Sequence, residues 1–311
     1  MAAHHDISRI IGRFKGNQPG NLIIMTAAMH GNEYAGVKAL EMLFKMLEAE
    51  ADDLVLCGEV IGLIGNISAF RQRRRYLTRD INRCWMPDNI MRIKNTAHVQ
   101  LDDEDREIKE LLTILEEIAY ELNPSKIYLL DLHTTSSDGI FCIASESQES
   151  IQLATKMKAP VILGLMKGLG GTTLHFFNET FAGIPATAIA FEGGFHNDPL
   201  SVNRCIGAAV NLMRITGSIS AQDLPSLQDF ILYQYCKGLP RSVVVQYRYH
   251  VEDPELWEMH PGFENFDTVY EGQLLATYNH QGVYAPMSGY LVMPLYQKLG
   301  HDGFFICTEE E

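Results

Sequence analysis

Three apolar runs in this chain each end on a chemically active side chain, and this pattern constrains the fold more than any other. "NLIIMTAAMH" (21–30) ends on His30, "KIYLLDLH" (126–133) on His133 and "ATAIAFE" (186–192) on Glu192. Short apolar runs between turn signals such as "NQPGN" read as strands buried on both faces, as in parallel sheets. Helical patterns separate them. Residues 33–49 set Val37, Leu40, Phe44 and Leu47 on one helix face. Residues 102–122 set Ile108, Leu111, Leu112, Leu115, Ile118 and Leu122 on another, ended by Pro124. Acidic residues load the first turn of that helix, where the macrodipole favours them. Further strands are expected at 58–66, "GIFCIAS" and "PVILGLM", and further helices over 147–158 and 199–216. Alternating strands and helices predict an α/β fold, a mixed, largely parallel sheet flanked by helices.

The texture changes after about residue 225. "SVVVQYRYHV", "DTVYEGQLLATY" and "GVYAPMSGYLVMPL" are short strand-like runs cut by Gly and Pro, with no helical period. Residues 226–311 are therefore expected to form a small all-β, barrel-like domain beside a larger domain of residues 1–225. Between the second strand and the long helix, residues 67–101 show no sustained period. A long irregular segment in a compact domain is usually functional or disordered.

In open α/β sheets, ligands collect at the carboxyl ends of the strands. His30, with Glu33 one turn on, His133 and Glu192 all reach such an edge. A single strand-end His is more often a hydrogen-bonded core residue than a ligand; the weight comes from several groups converging. Two imidazoles and a carboxylate form a donor set for catalytic zinc, with a fourth position left for water. Zinc so held polarises a carbonyl and acidifies water. A carboxylate outside the set is then wanted as general base, and Glu192, followed by two glycines, fits. Asp131, two residues before His133, either caps a turn or orients an imidazole. Arg71, Arg73, Arg74, Arg75, Arg79 and Arg83 crowd the irregular segment. They form a solvated basic surface, or guanidinium groups that bind a carboxylate and stabilise an oxyanion.

The chain holds 25 Lys+Arg against 39 Asp+Glu, a net charge of -14. Nucleic acid and anionic membrane surfaces are poor partners for it. A small anionic substrate is compatible, because a site can be locally basic. The six cysteines are scattered, with no C-x-x-C, and read as reduced thiols of a cytoplasmic protein. "MAAHHDISRI" carries no apolar leader, and no apolar run reaches the roughly 18 residues of a membrane span. His4 and His5 on that terminus are not ligand candidates. His196, just after "EGGF", is a candidate for the pocket wall.

"HGNE", "RRYLTRDINRCW", "LLDLHTT" and "AFEGG", in that order, resemble the succinylglutamate desuccinylase/aspartoacylase family of the zinc carboxypeptidase superfamily. The C-terminal "EGQLLATY", "YAPMSGYLVMP" and "DGFF" resemble its small β-barrel domain. The resemblance implies one zinc per chain, bound by His30, Glu33 and His133. It implies that Glu192 activates water and passes a proton to the leaving amine, and that Arg75 polarises the scissile carbonyl. Asn82 and Arg83 are implied to hold the carboxylate of an amino-acid moiety, with Asp80 supporting their loop. The implied reaction is hydrolysis of an N-acyl amino acid, a small anionic substrate. Aspartoacylases carry an Arg about ten residues before the catalytic Glu; Ala182 stands there, and no Lys or Arg lies between Lys167 and Arg204. The family also draws on its C-terminal domain at the site mouth, for which Tyr284, Tyr290, Tyr296 and His301 are candidates. Two rival readings keep the same residues: a carboxypeptidase acting on short peptides, and a non-catalytic homologue that binds zinc or an anion. A homo-oligomer is compatible with all three.

Overall fold

The computed structural model describes residues 7–224 and 227–310. His4, His5 and the expected boundary between residues 225 and 226 lie outside them. Along the chain run β1 (Ile10–Lys15), β2 (Gln18–Ala27), α1 (Ala35–Ala49), β3 (Cys57–Ile64), α2 (Ile67–Gln72), α3 (Pro87–Asn95) and α4 (Asp103–Leu122). Then come β4 (Ile127–Thr135), β5 (Phe141–Ala144), α5 (Gln148–Ala154), β6 (Val161–Leu163), α6 (Thr173–Phe176), β7 (Glu179–Phe181), β8 (Ile184–Phe195) and α7 (Leu200–Ile215). The remainder is α8 (Leu227–Cys236), β9 (Ser242–His250), β10 (Trp257–Met259), β11 (Asp267–Val269), β12 (Leu274–Tyr278), β13 (Gln281–Tyr284), β14 (Gly289–Val292) and β15 (Asp302–Glu309).

A twelve-stranded mixed sheet carries the molecule, in the order β1-β3-β2-β4-β8-β5-β6-β9-β15-β14-β11, with β7 paired to β8. The ladders β3-β2, β2-β4 and β4-β8 are parallel, as the continuous apolar runs predict. Alternate residues of those runs enter different cores. Leu22, Ile24, Leu129 and Ile61 pack with Ile108, Leu111, Leu112 and Leu115 of α4. Ile23, Met25, Leu130 and Val60 pack with Val37, Leu40, Phe44 and Leu47 of α1 and with α7. Each such side chain withdrawn from water contributes about 1.5–3 kcal/mol, which is why these runs become central strands.

Two expectations are refined. The segment 67–101 is not structureless: it holds α2, α3 and short 3₁₀ turns at Ile81–Arg83 and His98–Gln100. Its helices are too short to show a period. Within the stretch expected to be all-β lies α8, followed by β9, which pairs in parallel with β6 and so extends the main sheet. "FILY" in α8 is apolar on every side, so no helical stripe was legible. Beyond β9 lie a 3₁₀ turn at Pro254–Leu256, the strands β15, β14 and β11 that continue the main sheet, and a separate three-stranded sheet β10-β12-β13 over a core of Val251, Trp257, Leu275 and Phe304. No helix among the described residues is long and apolar enough to cross a membrane, and all six cysteines are free thiols.

Candidate functional site

The carboxyl ends of β2, β4 and β8 meet at one edge, since register pairs Ala27 with Leu132 and His133 with Glu192. After β2 the chain turns through Ala28 in the left-handed region, φ 52°. Gly31 then passes so close to α2 that a Cβ would lie 2.2 Å from the Ala69 carbonyl carbon, so only glycine fits. Its N–H donates to the Arg75 carbonyl at 3.1 Å, tying the "HGNE" turn to the arginine segment.

Glu33 is the hub. Its Oε1 lies 2.8 Å from His30 Nδ1 and its Oε2 3.1 Å from His133 Nδ1, and Oε2 also accepts from Thr134 N at 3.1 Å. One donor atom from each of His30, Glu33 and His133 falls within 4.8 Å of the others, and all three side chains are buried. The outer ring nitrogens face carboxylates: His30 Nε2 lies 3.1 Å from Asp80 Oδ1, and His133 Nε2 lies 3.0 Å from Asp131 Oδ2. With a metal ion bound, such a partner would hold the proton on Nε2 and leave the Nδ1 lone pair for the ion. The donor set therefore fits a zinc-like divalent ion: two oriented imidazoles and a carboxylate on one point.

Burial pushes the Glu33 carboxyl up, but the His30 charge and the hydrogen bonds from His133 and His30 outweigh it, leaving the group well below the usual carboxylate range. For Asp80, burial is likewise outweighed by the charges of His30 and Arg75. Burial opposes charge on His133, yet Asp131 beside it holds the imidazole well above its ordinary value. Glu192 behaves oppositely. Burial pushes its carboxyl up to about 7 against the pull of the His133 charge, and the Glu33 charge adds to the rise. Its Oε2 is buried with no hydrogen-bond partner, an arrangement suited to taking and releasing a proton.

A cavity of about 470 Å³ opens over this edge. His30, Glu33, Arg75, Asp80, Arg83 and Glu192 line it. Arg75 Nη2 donates to Asp80 Oδ2 at 3.0 Å, and Nη1 lies 3.7 Å from Glu33 Oε1. The acidic first turn of α4 does more than face the macrodipole. Glu104, fully buried, accepts from Leu77 N at 2.7 Å and Thr78 N at 3.0 Å; Glu107 accepts from Ile67 N and Ser68 N at 3.0 Å each. These carboxylates pin the start of α2 and the middle of the arginine segment.

Not every candidate reaches the cavity. Asn82 is buried, and its Oδ1 accepts from Thr173 N at 2.9 Å; Thr173 Oγ1 in turn donates to Asp131 Oδ2 at 2.7 Å. The "DINR" turn is thus wired to the partner of His133. Arg71, Arg73 and Arg74 are exposed and do not line the cavity; Arg79 lines it but pairs with Asp102 and Asp105. Ala182 and Gly183, with φ 51° and 79°, form the tip of the β7-β8 hairpin and do not line the cavity. His196 does, with Nδ1 2.7 Å from Thr134 Oγ1. Of the C-terminal candidates His301 lines it, whereas Tyr284, Tyr290 and Tyr296 do not. Tyr284 is exposed, Tyr290 Oη donates to Glu309, and Tyr296 Oη donates to the carbonyl of His260. Sequence reasoning missed Arg248 and Asp302, which complete the rim. The signal was an arginine inside the aromatic strand run "QYRYH".

Residues 19–192 match the family described as the succinylglutamate desuccinylase/aspartoacylase catalytic domain. A succinylglutamate desuccinylase of Photorhabdus laumondii is 26% identical over 192 residues, 56% of this chain and 53% of that protein. A probable aspartoacylase of Nostoc sp. is 24% identical over 121 residues, 38% of this chain and 36% of that protein. The matched stretches thus span about half or less of those curated relatives. Among solved structures, a succinylglutamate desuccinylase/aspartoacylase from Rhodobacter sphaeroides superposes with TM-score 0.66 at 15% identity, covering 96% of this chain and 88% of that one. The ectoine utilization protein EutE of Ruegeria pomeroyi, solved with product bound, superposes with TM-score 0.63 at 16% identity, covering 96% and 87%. At these identities the likeness is one of fold.

Proposed function

The chain belongs to the succinylglutamate desuccinylase/aspartoacylase family, and from that premise we propose that it is a zinc-dependent hydrolase cleaving the amide bond of an N-acyl amino acid. The observation that carries the reading is the convergence of His30, Glu33 and His133 within 4.8 Å, with each outer imidazole nitrogen on a carboxylate. These three residues would hold the ion. Zinc bound there supplies Lewis-acid polarisation of a carbonyl and acidification of water.

The chain's own groups do the rest. Glu192, buried with a free Oε2, takes the proton of the attacking water and returns it to the leaving nitrogen. Arg75 donates to the scissile carbonyl oxygen as it gains charge, and Asp80 holds that guanidinium in place. Arg83 binds a substrate carboxylate from the cavity wall. Asn82, its Oδ1 committed to Thr173, steadies the turn that presents Arg83. The segment 293–301, which brings Leu295, Leu299 and His301 to the cavity, favours a short substrate over a long peptide. The -14 net charge speaks against nucleic acid and membrane partners.

Two measurements on one preparation test the reading. Elemental mass spectrometry of the purified protein is expected to give about one zinc per chain. Incubation with a panel of N-acyl amino acids is expected to release free amine, and a chelator to stop it. Metal-loaded protein that releases no amine from any member, yet trims a dipeptide, would transfer the assignment to a carboxypeptidase.

A further inference from the structure

The cations around the cavity are unequally paired. Arg75 has two carboxylate neighbours, Asp80 and Glu33, and Arg79 has two, Asp102 and Asp105. Arg83 and Arg248 share one. Asp302 Oδ2 lies 3.4 Å from Arg83 Nη2, while Asp302 Oδ1 accepts from Arg248 Nε at 2.5 Å. Among the described residues no other carboxylate lies within 4.0 Å of either guanidinium group, although the Asp80 charge also acts on Arg83. Their remaining hydrogen bonds go to backbone carbonyls, Arg83 to Asn82 at 2.8 Å and Arg248 to Gly168 at 2.9 Å. Two guanidinium groups thus share one carboxylate in direct contact. The side chains are 37% and 28% exposed, so both forks border open space.

The placement gives this shared pairing a use. Arg83 comes from the 3₁₀ turn Ile81–Arg83 and Arg248 from β9, so the two guanidinium groups reach the rim from opposite halves of the chain. Met293, Leu295 and Leu299 provide apolar wall within the same cavity, while Glu33, Arg75 and Glu192 line it as well. A ligand with an amide against the polar end and an anion at the rim would match both. A planar carboxylate fits guanidinium forks bidentately. Asp302 already presents such a group there, at the first residue of β15 beside the irregular segment 293–301.

We infer that Arg83 and Arg248 form a two-sided clamp for a carboxylate of the substrate, and that Asp302 occupies this clamp in the free protein. The inference rests on the cavity being the site of an N-acyl amino acid hydrolase, and it gives the substrate class an anionic end bound by β9. It also accounts for the anion in a chain that has no Lys or Arg from 168 to 203.

The test is calorimetric titration of N-acetyl-L-glutamate, and of the same compound with both carboxyls amidated, into zinc-loaded protein. A Glu192→Gln background keeps the probe intact. Arg248→Gln is expected to weaken binding of the acid about 10- to 100-fold and to leave the diamide unchanged. Arg248→Lys, which keeps the charge and loses the fork, is expected to fall between. Asp302→Asn is expected to tighten the acid several-fold, since it removes the internal competitor. Thermal unfolding of each variant establishes that it is folded; should Arg248→Gln not fold, the lysine variant carries the test. No binding of the acid, equal losses for acid and diamide, or weaker acid binding in Asp302→Asn would each overturn the clamp. Amine release by the wild-type protein is scored separately. Release without dependence of binding on Arg248 keeps the hydrolase and removes the clamp; Arg248-dependent binding without release does the reverse.

Discussion

Nε2 of His133 lies 3.0 Å from Oδ2 of Asp131, two residues before it on β4. Residues two apart on a strand share a face, so this pairing follows from the spacing D-x-H itself. Asp131 is fully buried and also accepts from Thr26 Oγ1 and Thr173 Oγ1 at 2.7 Å each. It therefore has no freedom to leave His133. Asp131→Asn should lower zinc affinity about 10- to 100-fold, read by competition with a chromogenic chelator. Unchanged affinity in a folded variant would mean that His133 is not a ligand.

Glu192 is expected to separate binding from turnover. Glu192→Gln preserves shape and removes the base, so metal content should stay at the wild-type level while kcat falls about 10²- to 10⁴-fold. The two readouts are elemental analysis and amine release under saturating substrate. Activity near wild type would reassign the proton transfer to another group.

Glu104 links acid stability to the arginine segment. Burial pushes its carboxyl up, but the Thr78 hydroxyl and the N–H groups of Leu77, Thr78 and Arg79 outweigh it, and the folded value lies below the ordinary 4.5. A depressed folded value means that this stabilisation is full above about pH 4.5 and is lost as pH falls through the folded value. Glu104→Gln should cost about 1–3 kcal/mol at neutral pH and flatten the acid limb of the stability curve. Urea unfolding at several pH values measures both. Equal costs at neutral pH and at pH 3 would show that Glu104 does not carry the effect.

Arg204 is fully buried on α7. It donates to Asp138 at 2.9 Å, Asp198 at 2.8 Å and the carbonyl of Gly193 at 3.2 Å, and it sits 3.6 Å from the centre of the Tyr235 ring. Removing one partner of a buried pair costs about 3–5 kcal/mol. Asp138 and Asp198 are partly exposed and regain water when orphaned, which places Arg204→Met near the lower end. Because Gly193 follows Glu192, kcat is expected to drop as well, with KM little changed. Denaturant midpoints and steady-state kinetics give the two numbers.

The parts of the fold that were legible in the sequence are those where one periodicity rules. β2, β4 and β8 announced themselves as apolar runs, and α1 and α4 as stripes, because each serves a core on fixed faces. His30, His133 and Glu192 stood out for the same reason, interrupting those runs where the strands end, and Glu33 by its place one turn on; the structure brings the four to one edge. Asp80 was expected to support its loop, and its bond to His30 was hidden because fifty positions of sequence separate the two. Asn82 was expected at the substrate; it is buried away from the cavity wall, where its Oδ1 accepts from Thr173 N at the start of α6. Arg248 and Asp302 were missed because their proximity depends on the antiparallel register of β9 and β15, which no local pattern encodes.

The ladder that runs without a break from β1 to β11 has a mechanical meaning. Residues of the arginine segment and residues of β9 and β15 face each other across the cavity, yet β9 is bonded through β6 and β5 to β8, the strand that bears Glu192. Jaws that shared such a spine could not swing apart without tearing hydrogen bonds in its middle. The strand spacing therefore acts as a fixed gauge on what the cavity admits.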